Sequence, residues 1–544
     1  MLVCSRVFNI GVDVCDRLAA IDPESLAIIE VAEDGYGTER RTNYGQLKDL
    51  SDRFATVLEG LGLARTVDGI AGDRVAVLLS QRLETAVAHI AAFKGGFVSL
   101  PLFTLFGPEA LLHRLRDSGA RVLVTDSDSL LQVMQIRDEL PALQHVFLVD
   151  GLLETSSGLR DFHAELAAVT SEYIPVPTRA DDPAVIIYTS GTTGNPKGAL
   201  HAHRVLLGHL PGVEISHNFL PEPEDLFWTP ADWAWIGGLF DVLLPALHHG
   251  IPVVACRFSK FSASAAHNLI DRFKVRNAFL PPTALKIMKA DPVSNSWSLT
   301  LRSVASGGEP LGAELLDWGQ KALGVTINEF YGQTECNMIV SSCSALEAPV
   351  PGIMGRPVPG HHVDVISANG DVLDVEQEGA IAVRAPDPVM FLGYWNNPQA
   401  TNEKFITGPN GRWLLTGDRG MRRSDGRLRF VGRDDDIISS GGYRIGPAEI
   451  EDCLLSHDAV QMAGVVGKPD PVRGEIVAAF ITLAPGYQST DNLRKSIADH
   501  VRQRLAAYES PRAIYFIDEM PVTTTGKIIR ARLREAFSNE NPRV

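Results

Sequence analysis

Short apolar runs alternate with helical patterns through the first two-thirds of the sequence, and this limits the possible architectures more than anything else in it. "DRVAVLLS" (Asp73–Ser80), "ARVLVTD" (Ala120–Asp126), "AVIIYTS" (Ala184–Ser190), "GIPVVAC" (Gly250–Cys256) and "LRSVASGG" (Leu301–Gly308) each have the length and β-branched content of one buried strand. Between them lie helical stretches such as "LETAVAHIAAFKGG" (Leu83–Gly96), amphipathic in pattern and closed by glycine. Strand alternating with helix predicts βαβ units and mostly parallel sheets. The chain has no internal repeat, and its 544 residues suffice for three or four folding units with a large core.

The pattern changes after Pro351. "HHVDVISANGDVLDVEQEGAIAVRA" (His361–Ala385) alternates apolar and polar residues around an Asn369-Gly370 turn, which predicts an antiparallel β subdomain. "FVGRDDDIISSGGYRIGPAEIEDCLLSH" then combines a charge run, a double glycine and a helix start after Pro447, with a boundary expected in Arg433–Asp436. The predicted fold is α/β: a large N-terminal domain of βαβ layers plus a β subdomain over 1–433, and a small C-terminal α/β domain over 434–544.

The net charge of −16 argues against a nucleic-acid or anionic-membrane partner, since both need a basic surface. Six cysteines form no C-x-x-C pair and read as small apolar residues of a reduced compartment. His201/His203 and the adjacent His248/His249 have no third ligand at metal spacing, so they are expected to be surface or hydrogen-bonded histidines. Asp13 and Asp16 interrupt what would be a signal-peptide core, and no run is long and apolar enough for a membrane span. The expected location is cytoplasmic.

"IIYTSGTTGNPKGALHAHR" (Ile186–Arg204) places glycines, hydroxyls and Lys197 directly after a strand, as a phosphate-binding loop does. It is not G-x-x-x-x-G-K-[ST]: Pro196 stands where the second glycine belongs and Gly198 where Ser or Thr belongs. No G-x-G-x-x-G follows the early strands, which removes a Rossmann dehydrogenase. Further along come "GGEPLG" (Gly307–Gly312), "NEFYGQTECN" (Asn328–Asn337), "LLTGDRG" (Leu414–Gly420), "VGRDDDIISSGGYRIGPAEIE" (Val431–Glu451) and "PVTTTGKIIRARLR" (Pro521–Arg534).

In this order and spacing the segments resemble the signature motifs of the adenylate-forming superfamily: acyl-CoA synthetases, peptide-synthetase adenylation domains and firefly luciferase. The likeness spans nearly the whole chain. Its wording is nearest to acyl-CoA synthetases of the medium-chain type, above all in "SSGGYRIGPAEIE" and "PDPVRGEIVAAF". The resemblance implies an AMP-forming acid–CoA ligase, in which a carboxylate attacks the α-phosphorus of ATP, pyrophosphate leaves, and CoA then takes the acyl group. A loop that manages a departing pyrophosphate accounts for the missing P-loop grammar.

The resemblance also implies roles. Thr189, Ser190, Gly191, Thr192, Thr193, Gly194 and Lys197 match the phosphate loop. Gly308, Glu309 and Pro310 match the segment flanking adenine, and Tyr331, Gln333 and Thr334 the one touching nucleotide and carboxylate. Glu335 matches the acidic residue that holds Mg²⁺, the expected cofactor with ATP. Asp418 and Arg433 match the residues at the ribose hydroxyls. Lys527 matches the catalytic lysine of the C-terminal domain, where a placed cation lowers the barrier. That domain is mobile in the family and swings about a hinge matching Asp435. Gly441, Gly442, Tyr443 and Arg444 match the loop that then lines the pantetheine tunnel for the co-substrate CoA.

For the acid, acetate-specific relatives carry Trp at the position of Gly332 and larger residues at those of Gly307 and Gly237. Three glycines therefore predict a deeper pocket, walled by Trp235 and Ile236 with help from Trp233, suited to a medium-chain, branched or aryl acid. Gly332→Trp is expected to shift preference toward acetate or propionate. Asp232 and Asp241 lie near this region but not in the pattern of amino-acid-activating relatives. Alternatives remain: an enzyme that loads a carrier protein, an acetate or propionate ligase, and a binder without turnover. The expected partners are ATP, CoA and a carboxylic acid, with oligomeric state, a homodimer included, left open.

Overall fold

The computed structural model describes residues 7–151, 158–169, 172–189, 196–258, 260–290, 297–440, 443–471, 473–505, 508–523 and 527–537. Among these residues the strands form three sheets of 14, 8 and 5 strands. The eight-stranded sheet holds Arg74–Leu78, Val98–Pro101, Val122–Thr125, His145–Leu148 and Pro183–Thr189 in parallel, and continues antiparallel through Lys197–Ala202 to the edge strand Gly393–Tyr394. The parallel part follows from the strand–helix alternation, because each helix returns the chain to the same edge.

The largest sheet begins in the same way, with Val253–Cys256, Asn277–Phe279, Ser303–Gly307 and Ile327–Gln333 parallel. From Ile327–Gln333 it turns antiparallel and runs on through Cys336–Ser341 and Ile353–Pro357 to Leu428–Arg433, Gly411–Arg422, Glu378–Arg384 and Val363–Ile366. The expected β subdomain thus has the predicted antiparallel pairing but is no separate layer. Its strands extend the large sheet edge to edge. The five-stranded sheet, with Ile438–Ser440, Tyr443–Ile445, Val460–Asp470, Gly474–Leu483 and Ala513–Phe516, belongs to a smaller C-terminal domain. Its helix Pro447–Leu455 starts on Pro447, as the sequence indicated.

One helix departs from its pattern. Leu83–Lys94 reads as amphipathic, yet all twelve of its residues are buried. Its charges are compensated inside the protein: Glu84 accepts from Arg40 at 2.9 Å and Arg82 at 2.7 Å, and Lys94 donates to Asp52 at 2.7 Å and Ser51 at 2.9 Å and pairs with Asp16. Polar positions that would face water on an outer helix here anchor neighbouring segments, which a period count cannot distinguish. Cys15, Cys256, Cys336, Cys343 and Cys453 are free and buried, matching their reading as small apolar residues. No helix among the described residues is long and apolar enough to cross a membrane.

Candidate active site

The site forms where the large sheet turns from parallel to antiparallel, and the C-terminal domain closes over it. Asp418, on Gly411–Arg422, stands opposite Arg433 in the strand register. Its carboxylate is nearly buried, accepts from the Tyr331 hydroxyl at 2.5 Å and lies 3.8 Å from the Arg433 guanidinium. Burial raises the Asp418 pKa, and Arg433 and the Tyr331 bond pull it back. Arg433 also donates to Asp435 at 3.2 Å. Gln333 donates to the Thr416 carbonyl at 2.9 Å, and Lys404 donates to the Gln333 Oε1 at 3.3 Å, which fixes the orientation of that amide.

Glu335 is buried, and the Tyr394 hydroxyl donates to its Oε1. The Lys197 ammonium lies 5.4 Å from the centre of the Tyr394 ring. Tyr394 therefore joins the cation that follows the phosphate loop to the acidic residue of the Gln333–Glu335 turn. Thr189 and Lys197 pair across the base of that loop. Tyr188 fixes the strand below by donating to Asp117 at 2.6 Å, and His113 meets the Pro196 carbonyl at 2.9 Å. Ser190, Gly191, Thr192, Thr193 and Gly194, like Gly441 and Gly442, lie outside the described residues.

Lys527 enters from the other domain. A Cβ built on Gly308 would lie 3.7 Å from Lys527 Cε and 3.4 Å from Trp235 Cη2, so lysine, glycine and indole meet at one point. Gly308 has φ +97°, a conformation that itself favours glycine. The Lys527 side chain opens on the cleft and keeps accessible surface, yet protein crowds it, and this desolvation lowers its pKa. Glu309 counters the shift, Arg433 adds to it and Asp418 counters it again. The backbone holds the lysine in place: Thr523 N–H donates to the Lys527 carbonyl at 2.7 Å and Lys527 N–H to the Thr523 hydroxyl at 3.1 Å. Tyr443, beside the double glycine, stacks on Tyr508 with centroids 4.2 Å apart.

The profile of the AMP-binding enzyme family matches residues 15–395. The profile of the AMP-binding enzyme C-terminal domain matches residues 449–527 and so ends on the lysine. The chain is an AMP-binding enzyme. Among curated relatives, an acetyl-coenzyme A synthetase of Bacillus subtilis (strain 168) is 33% identical over 502 residues, covering 91% of this chain and 85% of its own. The mitochondrial acyl-coenzyme A synthetase ACSM3 of Mus musculus is 32% identical over 539 residues, covering 97% and 90%. Among solved structures, the anthranilate CoA ligase AuaEII in complex with anthranoyl-AMP aligns with a TM-score of 0.87 at 27% identity over 98% of each chain. An acyl-CoA synthetase of Brucella canis aligns with a TM-score of 0.73 at 33% identity over 98% of this chain and 94% of its own.

Within this AMP-binding enzyme the glycines expected to line an acid pocket are closely surrounded. Gly237 and Gly307 were expected to deepen it. A Cβ on Gly307 would instead lie 2.5 Å from the Phe330 ring, and one on Gly237 2.9 Å from Phe279 and 3.0 Å from Trp235. The space that glycine frees at each is taken by an aromatic ring. Trp235, Phe279 and Phe330 form a continuous row with centroids 5.9 and 5.2 Å apart. Ile236 and Trp233 are buried. Gly332 does not face this row: a Cβ there would lie 2.5 Å from Met338 N and 2.7 Å from Asn337 Cα, in a β-bulge between Tyr331 and Gln333. Gly332→Trp is therefore expected to fail to fold rather than to trim chain length. Gly332→Ala is expected to cost about 1–3 kcal/mol, measured as a lower Tm with unchanged acid preference.

Sequence reasoning missed Phe279, Phe330, Tyr394 and Lys404. Phe330 lies inside the "NEFYGQTECN" segment and could have been taken from its position, whereas the other three lie outside every motif. Of the two alternatives expected for the histidines, hydrogen bonding holds for His203 and His248. His201 and His203 are buried, and burial pushes both pKa values down to about 3. His203 Nδ1 accepts from the Ile10 N–H at 3.2 Å, and His248 pairs with Asp13 at 2.5 Å. No cluster of three metal-ligating side chains occurs among the described residues.

Proposed function

We propose that this protein is an AMP-forming acid–CoA ligase for an apolar, preferentially aryl, carboxylic acid. The observation that carries the reading is the meeting of Lys527 with Gly308 and Trp235 beside the Asp418–Tyr331–Arg433 group. A cation supplied by one domain to a nucleotide cradle and an aromatic wall on the other is what adenylation of a carboxylate requires.

In this reading Asp418 accepts from the ribose hydroxyls while Tyr331 and Arg433 hold it ionised. Lys527 sits where negative charge gathers as the carboxylate oxygen bonds to the α-phosphorus and the bond to pyrophosphate breaks. Lys197 and the 190–194 loop receive the departing pyrophosphate. The CoA thiolate then attacks the acyl carbon, the bond to AMP breaks, and AMP leaves. The row of rings from Trp235 to Phe330 supports a flat acid, since rings prefer offset or edge contact with one another. The anthranoyl-AMP held by the similar anthranilate CoA ligase agrees with this choice.

The donor set fits Mg²⁺ of the kind that arrives with ATP. The buried Glu335 carboxylate suits an ion that keeps waters and shares phosphate oxygens. Bound there, the ion would neutralise charge on the phosphates. Tyr394 orients the Glu335 carboxylate for it.

Pyrophosphate release with ATP and Mg²⁺ over a panel of aryl, branched and straight-chain acids, each with and without CoA, tests the proposal. CoA-dependent turnover is expected, with benzoate-like acids favoured over butyrate by about 10-fold or more, the worth of one to two buried methylenes. Preference for acetate overturns the acid class. Slow release indifferent to CoA overturns the ligase and points to a carrier protein as acceptor.

A further inference from the structure

The chain leaves the large domain through the turn 433–437, where the sequence indicates the hinge. Asp436 N–H and Ile437 N–H both donate to the Arg433 carbonyl, each at 3.0 Å, and close that turn. The strand Ile438–Ser440 follows at once and pairs with Tyr443–Ile445. The segment expected at the pantetheine is therefore joined to the hinge by the chain itself. Lys527 is not, because most of the small domain lies between them in sequence.

Two arginines bridge that gap. Behind Lys527 the Ile529 N–H donates to the Pro521 carbonyl at 2.8 Å, and the helix Arg530–Glu535 begins at the next residue. From this helix Arg534 donates to the Asp436 carboxylate at 2.5 Å and to the Asp435 carbonyl at 3.2 Å. Arg530 donates to the other Asp436 oxygen at 3.4 Å and to both oxygens of Glu451, at 2.8 and 2.6 Å. Asp436 is nearly buried, and Arg534 is half-buried. The Asp435 carbonyl and the Asp436 N–H belong to one planar peptide, so holding the first orients the second. That peptide is the first rigid unit beyond the rotatable bonds of Asp435.

We propose that Arg534 and Asp436 are positioning residues for adenylation: they fasten the helix behind Lys527 to the hinge turn, so that rotation at Asp435 carries the lysine to Gly308 as one rigid lever. The inference rests on the two-step ligase reading. Without the fastening the lysine arrives loosely placed, and a cation misplaced by a fraction of its reach loses much of its effect on the reacting phosphorus. The thioester step does not draw on this link, because its loop follows the hinge directly in the chain. The expected loss is therefore confined to the first half-reaction.

The test compares the two half-reactions in the full chain. Single-turnover adenylate formation from ATP and benzoate measures the first, and synthetic benzoyl adenylate plus CoA the second. Arg534→Ala and Asp436→Ala are each expected to slow adenylation by about 10-fold and to leave thioester formation within about twofold of the parent. The double variant is expected to lose about 10-fold as well, because both residues act through one contact, where independent effects would multiply to about 100-fold. Arg534→Lys keeps the charge but not the fork and is expected to recover part of the rate. Unchanged adenylation, equal losses in both steps or multiplied losses in the double variant overturn the proposal. Should Asp436→Ala fold poorly, Arg534→Ala and Arg534→Lys decide, since that side chain is half-exposed. Failure of the ligase reading shows itself in the parent. A parent without adenylate overturns both, whereas one that adenylates but ignores CoA overturns only the acceptor and leaves the adenylation losses to decide.

Discussion

Lys527→Ala is expected to lower the rate of acyl-adenylate formation by about 10²–10³-fold while leaving thioester formation from preformed acyl adenylate within a few fold of normal. The lysine meets Gly308 and Trp235 in this arrangement and is anchored by Thr523, so its charge is held where the α-phosphorus is expected to react. The second half-reaction breaks a bond to AMP with a thiolate as nucleophile and does not need that cation. Separate assays with ATP plus acid, and with synthetic acyl adenylate plus CoA, measure the two steps. Equal losses in both would place Lys527 in general folding or domain docking. A pH profile adds a check of sign: the lowered pKa of Lys527 means that its protonated form is lost earlier on the alkaline side than an exposed lysine's.

Asp418→Ala is expected to raise the KM for ATP by about 100-fold, with a smaller effect on the acid. The carboxylate accepts from Tyr331 in the free protein and lies beside Arg433. Removing it takes away the expected acceptor for the ribose diol, worth about 1.5–3 kcal/mol as a charge-assisted bond, and the charged acceptor of the Tyr331 hydroxyl. Tyr331→Phe separates the two effects. It removes only the orienting bond and is expected to cost about 1 kcal/mol in ATP binding. Initial rates over ATP concentration for the three proteins decide it, and an Asp418→Ala enzyme with an ordinary KM for ATP removes the residue from the ribose site.

Local signals carried the scaffold. The run Ala184–Ser190 became the strand Pro183–Thr189 because β-branched residues without polar interruption suit a strand covered on both faces. Helix Leu83–Lys94 was found but its environment was not. Its Lys94 and Glu84 look solvent-facing until Asp16, Asp52 and Arg40, distant in sequence, close around them beside the neighbouring Arg82. The same limit governs the site. Asp418 and Arg433 were legible as motif residues and are opposite one another in a strand pair. The pocket was not legible, because a glycine indicates only that a side chain is missing. Whether the vacated space goes to substrate, to Phe330 or to the main chain of Met338 depends on the neighbouring strand.

Gly308 and Lys527 meet across two separately built parts of the chain, one on the large sheet and one following the last strand of the small sheet. On the ligase reading adenylation is an encounter between these two parts, with the hinge expected at Asp435 as their tether. A short tether sustains an effective concentration in the millimolar range without any new contact. The linker sequence consequently sets a catalytic quantity. Lengthening it dilutes the lysine at the nucleotide, and stiffening it in one pose raises one half-reaction at the expense of the other.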